Sequence, residues 1–200
     1  MSLLCRATPE ERAASLPGDE DLPNPIARLD HAITIAAPPA SVWPWLAQMG
    51  ADRAGWYSYD RLDNGGRPSA RVLLPEHQAL YVGDVFPALP GVTDVFVLTA
   101  FEPERYLLLG VPGPEPPTAP VGSPAWRRSF TRANWTFVLS EYGGATRLHV
   151  RARAGHVALD LFGRPRVLPT PIARGVARPI HLLMQRKQLV EIRRRAEGRA

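Results

Sequence analysis

Residues 131–154 read TRANWTFVLSEYGGATRLHVRARA, and their alternation decides the fold. Trp135, Phe137 and Leu139 share one face of the first run. In the second run Leu148, Val150, Ala152 and Ala154 share one face, and Arg147, His149, Arg151 and Arg153 the other. Successive side chains of a strand point to opposite sides, and Gly143-Gly144 supplies a turn. The stretch is therefore an antiparallel hairpin with an oily side and a cationic side. The oily side needs a cover.

That cover is sought outward, toward the C-terminus. Residues from about Pro171 to Ala196 predict one long amphipathic helix, with Thr170 as its cap and Pro171 at its first position. Ile172, Val176, Ile180, Leu183 and Val190 form its apolar stripe, widened by Leu182 and Leu189. Pro179 predicts a kink near Gly175. Arg193-Arg194-Arg195 occupies the last turns, where cations suit the helix dipole.

Toward the N-terminus, His31–Ala36 alternates as a strand, and Pro38-Pro39 breaks it. A helix follows over Ala40–Met49, with Val42, Trp45, Leu46 and Met49 on one face and Gly50 as its stop. A short second helix is expected near 57–63, ended by Asn64-Gly65-Gly66. Strands are expected over Tyr81–Phe86, Asp94–Ala100 and Tyr106–Val111. The Pro-rich run 111–125 reads as an excursion between strands, placed to alter the mouth of a cavity. Residues 1–28, polar and dotted with proline, read as a loosely ordered extension before a single domain over 29–197. The class is α+β: a curved antiparallel sheet wrapped on a long C-terminal helix, with two short helices after the first strand. Such a wrap encloses a space whose inward faces are aromatic and aliphatic, suited to a hydrophobic small molecule.

Composition narrows the chemistry. The chain has 200 residues, 45% of them hydrophobic and 22% charged, which excludes general disorder. Its net charge of +5 is uneven: residues 147–200 alone carry +10. This basic quarter raises the possibility of an interaction module working through its cationic face, although stacking aromatics for nucleic acid are not interleaved with the arginines. A single cysteine, Cys5, excludes an intramolecular disulfide. No membrane span or signal peptide is legible, so a cytoplasmic location is expected. His31, His77, His149, His156 and His181 show no metal-ligand spacing, and no metal or cofactor is expected. His149, on the arginine face, is expected to face solvent.

Several segments resemble the SRPBCC superfamily, the START-like or helix-grip proteins that include polyketide cyclase/dehydrase and lipid-transport members. They are Ser41-Val42-Trp43-Pro44-Trp45-Leu46, Gln48-Met49-Gly50, Ala54-Gly55-Trp56-Tyr57-Ser58-Tyr59-Asp60, Val82-Gly83-Asp84-Val85-Phe86-Pro87, the two strands of the hairpin, and Leu183–Leu189 running on to Glu197. The likeness spans about residues 29–197 and rests on the number and order of the pieces. It implies a deep cavity for an apolar, lipid- or polyketide-like ligand, without fixing one chemistry. The expected wall is Trp45, Met49, Tyr57, Tyr59, Phe86, Phe96, Trp135, Phe137, Val150 and Leu183, with Tyr59 as polar anchor. As an alternative, a cyclase or dehydratase would use Tyr59 and Asp60 for proton transfer. A monomer or weak homodimer is expected.

Overall fold

A computed structural model describes residues 5–88, 95–155, 158–160, 165–167 and 170–199, with side chains for those outside 158–181. In chain order the elements are α1 (Pro9–Ala13), β1 (Ala27–Ile35), α2 (Pro39–Ala47), α3 (Asp60–Asp63), a 3-10 turn (Pro75–His77), β2 (Val85–Pro87), β3 (Val95–Glu102), β4 (Tyr106–Val111), α4 (Pro124–Arg127), β5 (Ala133–Tyr142), β6 (Ala145–Ala154), β7 (Ala158–Asp160), β8 (Pro165–Val167) and α5 (Thr170–Ala196). Six strands make one antiparallel sheet in the order β1-β6-β5-β4-β3-β2, and β7 pairs with β8 apart from it.

Register follows the hydrophobic pattern. Leu139 pairs with Leu148, Phe137 with Val150 and Trp135 with Ala152. Leu107 and Leu109 of β4 continue those rows, and Ile33 extends the first of them onto β1. An irregularity between Leu98 and Ala100 in β3 bends the sheet. On the oily face Leu189 and Ile192 of α5 are fully buried in one core with Ile35, Leu46, Met49, Phe137 and Val150. The long helix therefore covers the sheet, packing on β1 and α2.

Several elements differ from expectation. β1 begins at Ala27, four residues before the expected start at His31, because its pairing with β6 continues to Ala27↔Ala154. β2 shrinks to Val85–Pro87 because Asp84 turns back and accepts the Tyr81 backbone N–H at 2.8 Å. The helix near 57–63 shrinks to one turn because Tyr57 adopts a left-handed φ of 57°. The buried stripe of α5 runs through Gln185, Gln188, Leu189, Ile192 and Arg195, and Leu183 is 56% exposed. The side chains of Ile172, Val176, Ile180 and His181, with the expected cap and kink, lie outside the described residues, as does His156.

The largest difference lies on the cationic face. Residues 5–21, expected to be loosely ordered, lie across it. Thr8 and Glu11 form a reciprocal capping box that starts α1, and Glu11 then holds Arg147 bidentately at 2.6 and 2.9 Å. Arg151 is fully buried. Its five N–H donors reach Asp30, Asp19 and the carbonyls of Ala14, Glu11 and Arg12 at 2.7–3.1 Å. Arg153 also pairs with Asp19. Asn134 and Thr136 donate to the carbonyls of Gly18 and Pro17 at 2.6 and 2.8 Å. His149, expected outside, is buried against Asp30 at 3.1 Å. The face read as a solvated or partner-binding surface is thus an internal polar layer. The segment between the Pro-rich excursion and β5 shares it: Phe130 lies over Gly110, and Arg127 pairs with Asp21 at 3.2 Å. That segment covers the sheet's outer side, opposite α5.

Candidate functional site

The oily face carries four aromatic rings in mutual contact. Trp56 stacks on Trp135 at 5.5 Å between centroids and meets Phe96 edge-on at 5.4 Å. Phe96 lies 5.4 Å from Trp135, which lies 4.9 Å from Phe137. The sheet places three of them: Trp135 and Phe137 by alternation along β5, and Phe96 by its pairing with Phe86. Trp56 comes from the loop after α2, its indole N–H shared between the carbonyls of Pro87 and Ala88 at 3.0 and 3.1 Å. Phe137 is sealed, whereas Phe96 and Trp135 are half-buried and present aromatic surface.

α5 meets this floor with amides. Gln185 accepts the Trp135 indole N–H at 3.0 Å and donates to Gln188 at 2.7 Å, and Gln188 donates to the Met49 sulfur at 3.7 Å. A third amide, Gln48 at the end of α2, donates to the Tyr57 hydroxyl at 2.9 Å and accepts from the Leu74 backbone N–H at 2.9 Å. From Gln185 to Arg195 the helix is flush on its neighbours, since its inward side chains are buried.

The expected wall residues separate accordingly. Met49, Phe86, Phe137 and Val150 are fully buried and act as core, and Tyr57, 1% exposed, is buried with them while one side of it backs the cleft at Asp60. Trp45 is buried edge-on to Tyr57. Leu183 faces solvent. Tyr59, the expected anchor, is 37% exposed and lies outside the core cluster. Asp60 accepts from Ser69 at 2.5 Å and lines a separate cleft of about 340 Å³. The structure thus does not bring Tyr59 and Asp60 onto the aromatic floor.

That cleft lies between Tyr57–Asp60, the 68–71 loop and the last turns of α5. Gly55, at φ +81°, lets the chain pass Ser69, whose Oγ would sit 2.3 Å from a Cβ there. The Ser69 hydroxyl then accepts the Tyr57 backbone N–H at 3.2 Å. Arg195 lies 4.6 Å over the Tyr57 ring, and burial pushes the Tyr57 phenol above its ordinary range. Asp63 is buried beside the cleft, neither oxygen hydrogen-bonded among the described residues. Burial and the Asp60 charge push it up to about 6. Sequence reading missed Gln48, Gln185, Gln188, Asp63 and Arg195, because polar residues beside apolar stripes read as solvated edges. The one available signal was spacing: Gln185, Gln188 and Ile192 share a helical face.

Among the described residues no three His, Cys, Asp or Glu side chains gather as a metal site, and no helix is long and apolar enough to cross a membrane. The order β1-β6-β5-β4-β3-β2, grasping one C-terminal helix, decides the architecture. The chain has the helix-grip fold. No family model and no curated relative matches it. Similar solved structures include the Zhui aromatase/cyclase of Streptomyces sp. R1128, at 15% identity over 86% of this chain and 94% of that one, with a TM-score of 0.49. Protein MLL2253 of Mesorhizobium loti is 13% identical over 87% of this chain and 99% of its own, also at 0.49. A polyketide cyclase-like protein of Corynebacterium glutamicum is 16% identical over 86% and 92%, at 0.37.

Proposed function

We propose that this helix-grip protein binds a small apolar molecule, of lipid- or polyketide-like skeleton, on the aromatic floor of Phe96 and Trp135 beside α5. The observation that carries the reading is the incomplete burial of these two rings, which touch each other and the buried Trp56 and Phe137. Aromatic surface left open on a rigid sheet offers a ligand hydrophobic transfer at about 25 cal/mol per Å² and ring-on-ring contact beyond it. The Gln185 amide supplies a polar group at the edge of the floor. Binding follows from burial of apolar surface and needs no proton transfer.

The test is titration of the whole chain with an apolar fluorescent dye. Trp135→Ala and Phe96→Ala are expected to weaken dye binding about tenfold each, near the top of the ~0.5–1.5 kcal/mol that a ring-on-ring contact contributes beyond its buried area. Unchanged affinity in variants that keep the wild-type circular dichroism overturns the reading.

A further inference from the structure

The cleft at the C-terminal end of α5 is chemically unlike the aromatic floor. Arg71, Lys187, Arg194, Arg195 and Arg199 line it, with Asp60 and Glu191. Glu191 receives Lys187 at 2.8 Å, Arg194 at 2.9 Å and Arg195 at 2.8 Å, so one carboxylate answers three cations. Burial raises Glu191, but the bonds from Lys187 and Arg195 outweigh it and hold the carboxyl below its ordinary value. Arg199 pairs with Glu197, and Arg71 has no ion pair among the described residues. With Asp60, Asp63 and Glu197 counted, five cations face four carboxylates and a surplus of one positive charge remains.

Arg195 gives the cleft a fixed centre. Its side chain is 6% exposed. Nε donates to the Ala70 carbonyl at 2.8 Å, and Nη1 donates to the Glu191 carbonyl at 3.2 Å and carboxylate at 2.8 Å. The Tyr57 ring backs the guanidinium. These bonds leave Nη2 without a partner among the described residues. A guanidinium already immobilised loses little entropy when it binds an anion, and its planar donors match phosphate oxygens. The volume of about 340 Å³ exceeds that of a bare ion and lies at the lower end of small-molecule sites.

We propose that this cleft binds a small organic phosphomonoester, whose negative charge answers the cationic excess and whose oxygens meet Arg71, Arg194 and Arg195. The site is independent of the apolar ligand proposed above. Calorimetric titration of the whole chain with phenyl phosphate at low ionic strength is expected to show saturable binding that salt weakens. Arg71→Gln and Arg194→Gln, both at exposed side chains, are each expected to weaken it about tenfold without unfolding the protein, since a hydrogen bond to a charged group is lost. Vesicles of phosphatidylcholine containing phosphatidate distinguish the source. Cosedimentation that the same two variants abolish assigns a lipid headgroup, and ester binding without cosedimentation assigns a soluble phosphate. No saturable binding of phenyl phosphate up to about 10 mM, or binding that both variants leave unchanged, overturns the proposal. Apolar dye binding is read in the same variants, so this site and the aromatic floor fail or hold separately.

Discussion

Gln48 shows how much single buried amides matter in this core. It is fully buried at the end of α2. Its Nε2 reaches the Tyr57 hydroxyl and the Val72 carbonyl, and its Oε1 accepts from the Leu74 backbone and from Gln78 at 3.0 Å. One side chain thus ties α2 to the Tyr57 loop and to the 72–78 loop. Gln48→Leu preserves volume but removes partners from the buried Tyr57 hydroxyl and from the Leu74 N–H. A loss of about 2–3 kcal/mol is expected, because each orphaned buried group costs on the order of 1–3 kcal/mol. Urea unfolding checks this; a midpoint equal to wild type would show that the network contributes nothing. In the sequence Gln48 reads only as the residue before Met49-Gly50, where a helix ends and polar side chains ordinarily reach water. Its burial depends on the 72–78 loop folding over it, and no local pattern encodes that.

At the scale of elements, legibility followed periodicity. β4, β5 and β6 run close to where alternation put them, and the register of the hairpin obeys the Gly143-Gly144 turn. Alternation also told the two faces of β6 apart, but it could not tell what covers the second one. Arginine at every other position ordinarily means water. Here the carboxylates that answer those arginines come from residues 11, 19 and 30, more than a hundred positions away. Pairing across such a distance leaves no trace in local pattern, so the lead segment read as loose. Asp19 is the clearest test of this layer, since it joins Arg151 and Arg153 and accepts the Leu16 N–H at 3.1 Å. Asp19→Ala leaves two buried guanidinium groups short of one charge, with Asp30 still holding Arg151. Destabilisation of about 2–4 kcal/mol is expected, near the lower part of the range for breaking a buried pair. Thermal unfolding should record it together with faster proteolysis within residues 5–21; a variant as stable and as resistant as wild type contradicts the buried layer.

Over the whole molecule, two buried titratable groups set the pH response with opposite signs. Asp63 titrates at about 6 in the folded protein, against 3.8 ordinarily. Its charged form therefore costs stability. The cost is absent below pH 4, grows as the pH rises through 4 to 6 and is constant above, reaching at most about 3 kcal/mol at roughly 1.4 kcal/mol per unit. Burial lowers His31, so its neutral form is favoured in the fold, and stability is lost as the pH falls below 6.5. Asp30 lies lower in the fold than its ordinary value: burial raises it, but hydrogen bonds from His149, Arg151 and Arg28 outweigh that. Its contribution is present above pH 4 and is lost only below. Between pH 7 and 5 the gain from protonating Asp63 thus opposes the loss at His31. Asp63→Asn removes that gain. The variant is expected to be more stable than wild type at pH 7.5 and equal to it near pH 4, with a steeper fall between pH 7 and 5. Urea unfolding free energies measured at half-unit steps would show this, and a difference between the two proteins that is constant from pH 7.5 to pH 4 would mean that the fold does not raise Asp63.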